Sequence, residues 1–154
     1  MKRGFTLLEL IVVIIILGIL ATLGFTQYEK MVEYQRQAEP RMIFGNILKL
    51  AYEYRLKNGT INSIANADVN IGTGTDQIPS TDNGGCRGLY YFGYDLLYPS
   101  DPTLSIRATR CTSGGKPPQG TASPPYELWW DMNLSTGTVS WKRWDTGVGY
   151  HSGW

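Results

Sequence analysis

The sequence predicts an α+β protein in which the C-terminal half of a long N-terminal helix packs on a small antiparallel sheet. An uncharged apolar run from Leu10 to Phe25 is followed by an apolar stripe with helical spacing. Further along the chain, four segments have the composition or the alternation of half-buried strands. A chain of 154 residues is long enough for one modest core beside the helix.

The first element is a helix of membrane-spanning length. A basic pair, Lys2 and Arg3, precedes an apolar run over residues 5–25 that would form a helix about 31 Å long, close to the thickness of a bilayer core. The basic pair favours the cytoplasmic side for this end. A cleaved secretory signal is disfavoured because its apolar core is shorter and ends in a small-x-small site, which Ala21-Thr22-Leu23 does not provide.

A single carboxylate, Glu9, lies just inside this apolar run. An acidic side chain costs roughly 2.5–3.5 kcal/mol in the middle of a bilayer, so its presence indicates a function and a partner. The alternative is a carboxylate near the interface that reaches the lipid headgroups. If the chain were cut before Phe5, the new ammonium group would lie one helical turn from Glu9 on the same face.

Residues 4–9 read GFTLLE, after a short basic leader and before the apolar stretch. This arrangement resembles the processing signature of type IV prepilins and pseudopilins. The resemblance implies a leader over residues 1–4, cleavage by the prepilin peptidase between Gly4 and Phe5, and N-methylation of Phe5. It also implies that Glu9 pairs with the N-terminus of a neighbouring subunit, and that the fold is the lollipop of type IV pilins.

The same resemblance implies partners and a location. It implies a homopolymer of identical subunits, assembled with an ATPase and an inner-membrane platform protein. The precursor would lie in the inner membrane and the product would be an extracellular filament. No cofactor or metal site is expected, and we expect the chain to be a substrate of an enzyme and not an enzyme itself. The net charge of +1 gives no reason to expect nucleic acid as a main partner.

The hydrophobic part of the helix is expected over residues 5–26 and an amphipathic part over 27–58, ending at Asn58-Gly59. Pro40 should kink the helix near residues 36–40. The family commonly has a proline where this chain has Thr26, so melting of this stretch on assembly is not implied. The predicted stripe toward the sheet consists of Ile43, Ile47, Leu50, Ala51 and Tyr54.

Residues 59–154 are expected to form a globular head. Residues 59–88 are predicted to be a long surface loop with a short helix, and residues 114–125 an exposed loop. The four predicted strands cover residues 89–94, 104–110, 126–132 and 138–144, the last two joined as a hairpin. The aromatic residues of this region could lie in the core, at a subunit interface or on an adhesive surface; they are Trp129, Trp130, Trp141, Trp144, Tyr150 and Trp154.

The two cysteines, Cys86 and Cys111, predict one disulfide formed outside the cytoplasm, with two free thiols as the alternative. A zinc site is disfavoured because His151 is the only histidine and neither cysteine belongs to a CxxC pair. Calcium is disfavoured too, since the candidate ligands lack the spacing of a known loop and suit ordinary turns; they are Asp76, Asp82 and Asn83.

Three functions follow from these observations. The first is a structural subunit of a type IV pilus-like filament, used in adhesion, motility or DNA uptake. The second is a pseudopilin of a type II secretion system, which shares the same N-terminal motif. The third, from another class, is a membrane-anchored binding protein that never polymerises.

Overall fold

The computed structural model describes residues 6–81, 86–112, 114–116, 126–145 and 149–152. The chain divides into two compact units, Met1–Gln35 and Arg36–Trp154. The α+β class is confirmed, since a long N-terminal helix is followed by a second helix and an antiparallel sheet.

The first unit contains all but the last residue of helix α1, Leu7–Arg36. Its part Leu7–Phe25 has a mean hydropathy of 2.8 and is long and apolar enough to cross a membrane. All of the large apolar side chains of this part are exposed within the unit, on every side of the helix. Because Leu7–Phe25 has no polar face, this part of α1 suits lipid or other apolar helices better than water.

Helix α2, Ala38–Asn58, opens the second unit, and only Gln37 separates it from α1. This interruption falls inside the segment where Pro40 predicted a kink. Pro40 lies in the first turn of α2, where its missing N–H group costs no helical hydrogen bond. The helix ends at Asn58, as predicted, and Gly59 follows it with a positive φ of 77°, a conformation that glycine adopts at low cost.

The second unit contains a sheet of five antiparallel strands, and each strand pairs with its neighbour in sequence. The strands are β3 Phe92–Ser100, β4 Thr103–Arg110, β5 Tyr126–Asn133, β6 Val139–Asp145 and β7 Gly149–Ser152. The sheet has one strand more than predicted, because β7 is only four residues long and its sequence has no apolar alternation. The hairpin between β5 and β6 is at the predicted place.

The core lies between α2 and one face of the sheet. Ile47 and Ala51 from the predicted stripe are fully buried, while Leu50 and Tyr54 pack at the edge of the core. Phe44, which was not part of the predicted stripe, stacks on Trp130 with the ring centroids 5.5 Å apart. Trp141 meets Trp130 edge-on at 5.0 Å. Burial of these large aromatic surfaces stabilises the contact between α2 and the sheet.

The short helix predicted within residues 59–88 is present as a 3₁₀ helix, Asn66–Val69. The prediction that the rest is a surface loop is wrong for much of its described part, which contains two parallel strands, β1 Ile71–Gly72 and β2 Ile78–Pro79. Five of its apolar side chains are buried in the core; they are Ile61, Ile64, Val69, Ile71 and Ile78. Isolated isoleucines among polar residues have no periodicity, and for that reason the sequence pattern did not reveal them.

The first long strand begins three residues later than predicted. The aromatic residues before Phe92 suit a strand, but residues 87–90 form a turn with a hydrogen bond from Tyr90 N to Arg87 O at 2.9 Å. Directly after this turn, Glu39 Oε1 of α2 accepts hydrogen bonds from the backbone N–H groups of Tyr91 and Phe92, at 2.9 and 3.2 Å. The same carboxylate oxygen also accepts a hydrogen bond from the hydroxyl of Tyr94 at 3.2 Å. Glu39 therefore connects α2 to the start of β3.

Candidate functional site

The N-terminus of α1 carries a reciprocal side-chain cap. Thr6 donates to Glu9 Oε2 from both its backbone N and its hydroxyl, each at 2.9 Å. In return, the backbone N of Glu9 donates to Thr6 Oγ1 at 3.3 Å. Thr6 occupies the N-cap and Glu9 the third helical position, so the pair forms a capping box.

This cap explains how a carboxylate is tolerated at the start of an apolar helix. Glu9 lies at the positive end of the helix dipole, and its hydrogen bonds satisfy backbone donors that have no partner within the helix. The exposed apolar side chains of α1 begin directly beside it, at Leu7 and Leu8. Gly4 and Phe5, the predicted cleavage and methylation residues, lie outside the described residues.

Residues 1–25 match the family described as the prokaryotic N-terminal methylation motif. The chain carries the type IV pilin and pseudopilin signature. The match covers the predicted leader and the apolar part of α1, while the second unit lies outside it. No curated protein and no solved structure matches the chain.

The pilin-type signature implies a structural subunit and not an enzyme. It also implies processing by a prepilin peptidase and assembly into pilus-like filaments. A membrane-anchored precursor fits both the signature and the apolar helix Leu7–Phe25. This match confirms the resemblance of residues 4–9 to the processing signature of type IV prepilins and pseudopilins.

In the second unit, Cys86 and Cys111 form a disulfide with Cα atoms 5.7 Å apart. It joins the segment before β3 to the residue directly after β4. Gly114 and Gly115 pack against it so closely that a side chain at either position would collide with Cys86 O or with Cys111. The disulfide and these glycines hold the residues after β4 against the start of the sheet.

Arg110 is buried beside the disulfide and holds three backbone segments together. Its Nη1 donates to the carbonyl oxygens of Tyr91, Cys111 and Lys116, at 2.7, 3.3 and 2.9 Å. Its guanidinium group also lies 5.3 Å from the centre of the Tyr91 ring, a cation–π distance. Carbonyl oxygens and aromatic faces thus solvate the buried cation.

The other candidate ligands do not form a site in the part of the chain that the structure describes. Within it, no three His, Cys, Asp or Glu residues group as metal ligands would. Asp76 lies in the turn between β1 and β2, where its carbonyl oxygen accepts a hydrogen bond from the Asn70 side chain at 3.4 Å. Asp82 and Asn83 lie outside the described residues, as does the side chain of His151.

The tryptophans of the sheet separate into two groups. Trp130 and Trp141 face α2 in the core. Trp129 and Trp144 alternate with them along β5 and β6 and lie on the opposite, outer face, both partly exposed. The side chains of Tyr150 and Trp154 lie outside the described residues. The aromatic cluster predicted from the sequence is therefore divided between the core and the outer face.

Sequence reasoning missed two residues with clear structural roles, Thr6 and Glu39. The cap at Thr6 was available from the sequence, since Ser or Thr followed three residues later by Glu marks a helix N-terminus. Nothing local marks Glu39, because its partners lie more than 50 residues away in the sequence.

Proposed function

We propose that this chain is a structural subunit of a type IV pilus-like extracellular filament. In this proposal the leader Met1–Gly4 is removed, Phe5 is N-methylated, and the subunits polymerise through α1. The observation that carries the proposal is the capped carboxylate of Glu9 at the head of α1, whose part Leu7–Phe25 is apolar on all sides. Glu9 is the one charged residue of Leu7–Phe25.

Glu9 would set the axial register between neighbouring helices. Apolar surfaces slide past one another at little cost, whereas a carboxylate buried without a partner costs several kcal/mol. The described hydrogen bonds of its side chain both go to Oε2. The other oxygen, Oε1, would accept the ammonium group of a neighbouring Phe5 while the cap is kept.

Intact-mass spectrometry of the protein from cells with a prepilin peptidase tests the processing step. We expect the loss of residues 1–4 and the gain of one methyl group on Phe5. A matched sample with Gly4→Val should keep its full length. A wild-type chain that is uncut in the presence of an active peptidase would overturn the proposal.

Two substitutions separate the charge of Glu9 from its role in the cap. Glu9→Gln keeps an oxygen acceptor for Thr6 but removes the charge, so we expect membrane insertion with little or no filament. Thr6→Val removes the capping hydroxyl at a cost of about 1 kcal/mol and keeps the charge, so filaments should form. Glu9→Ala should also insert normally and assemble poorly. Wild-type filament yield from Glu9→Gln would refute the pairing role.

A pilus subunit and a secretion pseudopilin share the N-terminal signature, so a deletion strain is needed to separate them. Loss of surface fibres in electron micrographs supports the pilus subunit. Intact fibres together with blocked export of secreted enzymes would support the pseudopilin. A processed chain that stays monomeric in the membrane in every condition would instead support an anchored binding protein.

A further inference from the structure

Two asparagines of the chain stand in the Asn-x-Ser/Thr pattern of N-linked glycosylation; the segments are Asn58-Gly59-Thr60 and Asn133-Leu134-Ser135. This pattern is common by chance, so the surroundings of each asparagine have to show whether it can accept a sugar. The acceptor atom is the side-chain nitrogen Nδ2, which has to be open to solvent and not bound elsewhere. The structure describes both segments, and the two asparagines differ in this respect.

Asn58 is the last residue of α2, and its side-chain nitrogen is already in use. Nδ2 donates a hydrogen bond to the carbonyl oxygen of Tyr54, one helical turn earlier, at 3.0 Å. The hydroxyl of Thr60, the other essential residue of this segment, accepts a hydrogen bond from the backbone N–H group of Asn62 at 3.2 Å. A sugar on Asn58 would compete with the helix end for the same nitrogen.

Asn133 ends β5, and its side-chain nitrogen is directed away from the chain. Its Oδ1 accepts hydrogen bonds from the backbone N–H groups of Ser135 and Thr136, at 2.9 and 3.1 Å. Because both partners are donors, the atom that they contact is the amide oxygen, and Nδ2 takes the other position. Within residues 126–145, which the structure describes without a gap, Nδ2 has no hydrogen-bond partner. The acceptor nitrogen of Asn133 is therefore available.

The turn that carries Asn133 lies at the surface. Asn133 is partly exposed, and every residue over 135–140 is exposed. A side chain added at Gly137, in the same turn, would meet no atom within 4 Å, so the space beside the turn is open. The hydrogen bonds to Asn133 Oδ1 come from residues only two and three positions away, so this local turn can form before the sheet does.

Two further features suit a modification outside the cytoplasm. The Cys86–Cys111 disulfide of the same unit needs an oxidising compartment, on the side of the membrane where secreted proteins receive N-linked sugars. Before the sheet has formed, Asp131 offers a carboxylate two residues ahead of Asn133, which a cationic group of a transferase can bind. Leu56 has the corresponding place ahead of Asn58, so that segment lacks such a group.

We infer that Asn133 is an acceptor site for N-linked glycosylation, and that the donor is an oligosaccharide carried on a polyprenyl diphosphate. In the transfer, Asn133 Nδ2 forms a bond with the anomeric carbon of the first sugar, and the bond from that carbon to the diphosphate oxygen breaks. The polyprenyl diphosphate leaves with the electron pair of the broken bond, and Nδ2 loses one proton to a base of the transferase. The hydrogen bonds to Oδ1 favour this loss, because they withdraw electron density from the amide nitrogen.

Glycopeptide mass spectrometry of the full-length chain tests the inference, in bacterial cells that contain a membrane oligosaccharyltransferase and its lipid-linked oligosaccharide. A strain with an inactivated transferase gives the background. We expect the mass of one donor oligosaccharide on Asn133 and none on Asn58. Asn133→Gln and Ser135→Ala should lose this mass completely. Ser135→Thr, which keeps the hydroxyl group, and Asn58→Gln, the matched control, should retain it.

Fragment spectra of the wild-type chain locate the sugar directly, so the result does not depend on the folding of any variant. An unmodified Asn133, in cells where a control acceptor protein is glycosylated, would overturn the inference. It would also be overturned by an added mass that persists in Asn133→Gln, or by a sugar found only on a hydroxyl group of this turn. The inference goes beyond filament formation, and these measurements require neither cleavage after Gly4 nor polymerisation. A failure here therefore leaves the proposed filament role to its own tests.

Discussion

Replacement of Glu39 by alanine should weaken the second unit more than a single helix-surface change would. Glu39 Oε1 accepts hydrogen bonds from Tyr91 N, Phe92 N and the hydroxyl of Tyr94. Phe92 and Tyr94 are almost fully buried, so their donors would find few water molecules in its place. The start of β3 would lose its connection to α2.

The magnitude follows from these three donors. A buried donor left without a partner costs about 1–3 kcal/mol. Partial access of water around Glu39, and relief of the cost of burying its carboxylate, offset part of this sum. We therefore expect Glu39→Ala to lower the free energy of unfolding by about 2–4 kcal/mol. That is a large share of the roughly 5–15 kcal/mol typical of a folded domain.

Urea denaturation of the full-length chain in detergent, followed by tryptophan fluorescence, measures this change, because Trp130 and Trp141 both contact Phe44 of α2. Glu39→Gln is the matched control, since it keeps an acceptor oxygen of similar size and should cost clearly less than the alanine variant. A loss below about 0.5 kcal/mol in Glu39→Ala, the usual limit for a surface substitution, would refute the reasoning.

Three further predictions concern the same unit. Burial raises the pKa of the Glu39 carboxyl group, so this group stays protonated to a higher pH in the folded state than in the unfolded state. The wild-type chain should therefore lose stability relative to Glu39→Gln as the pH rises above about 4.5. A stability difference between the two that is constant from pH 4 to 8 would contradict this. Cys86→Ser with Cys111→Ser should cost about 3.5 kcal/mol in the chain-entropy estimate for the loop closed by this pair, measured by urea denaturation, and an unchanged midpoint would count against it. Ile47→Ala should cost about 2–5 kcal/mol because Ile47 is fully buried, and a cost below 1 kcal/mol in the same assay would show that the site collapses around the smaller side chain.

The parts of the fold with regular periodicity could be predicted from the sequence. The stripe at Ile43, Ile47 and Ala51 repeats with the helical period, and β4 and β5 alternate over their full lengths. Phe44 was missed because it lies at the edge of the stripe and is buried by contact with Trp130. The period of a helix predicts which face is buried, but not how wide the sheet beneath it is.

Elements defined by long-range contacts could not be predicted in this way. The isoleucines before β3 belong to the same core cluster as α2 and the sheet, and Glu39 finds its partners Tyr91 and Phe92 more than 50 residues away. The candidate site at the start of α1 is local, so the apolar run and Glu9 could be predicted from the sequence. The contacts of Arg110 with three carbonyl oxygens, in contrast, exist only once separate segments of the chain have come together.

The order of the five long strands has a consequence for how the second unit folds. Each strand pairs with the strand that precedes it in the chain, so the sheet can grow hairpin by hairpin from β3 to β7. Helix α2 makes its contacts with the sheet later, because these contacts join residues that are far apart in the sequence. The hydrogen bond from the Tyr52 hydroxyl to the carbonyl oxygen of Leu134, for example, joins residues 82 apart. We therefore expect docking of α2 to be the slow step in folding, because the entropy of closing a long loop is lost before the contacts that offset this loss can form. Until then, the aromatic side of the sheet stays open to water and to other unfolded chains.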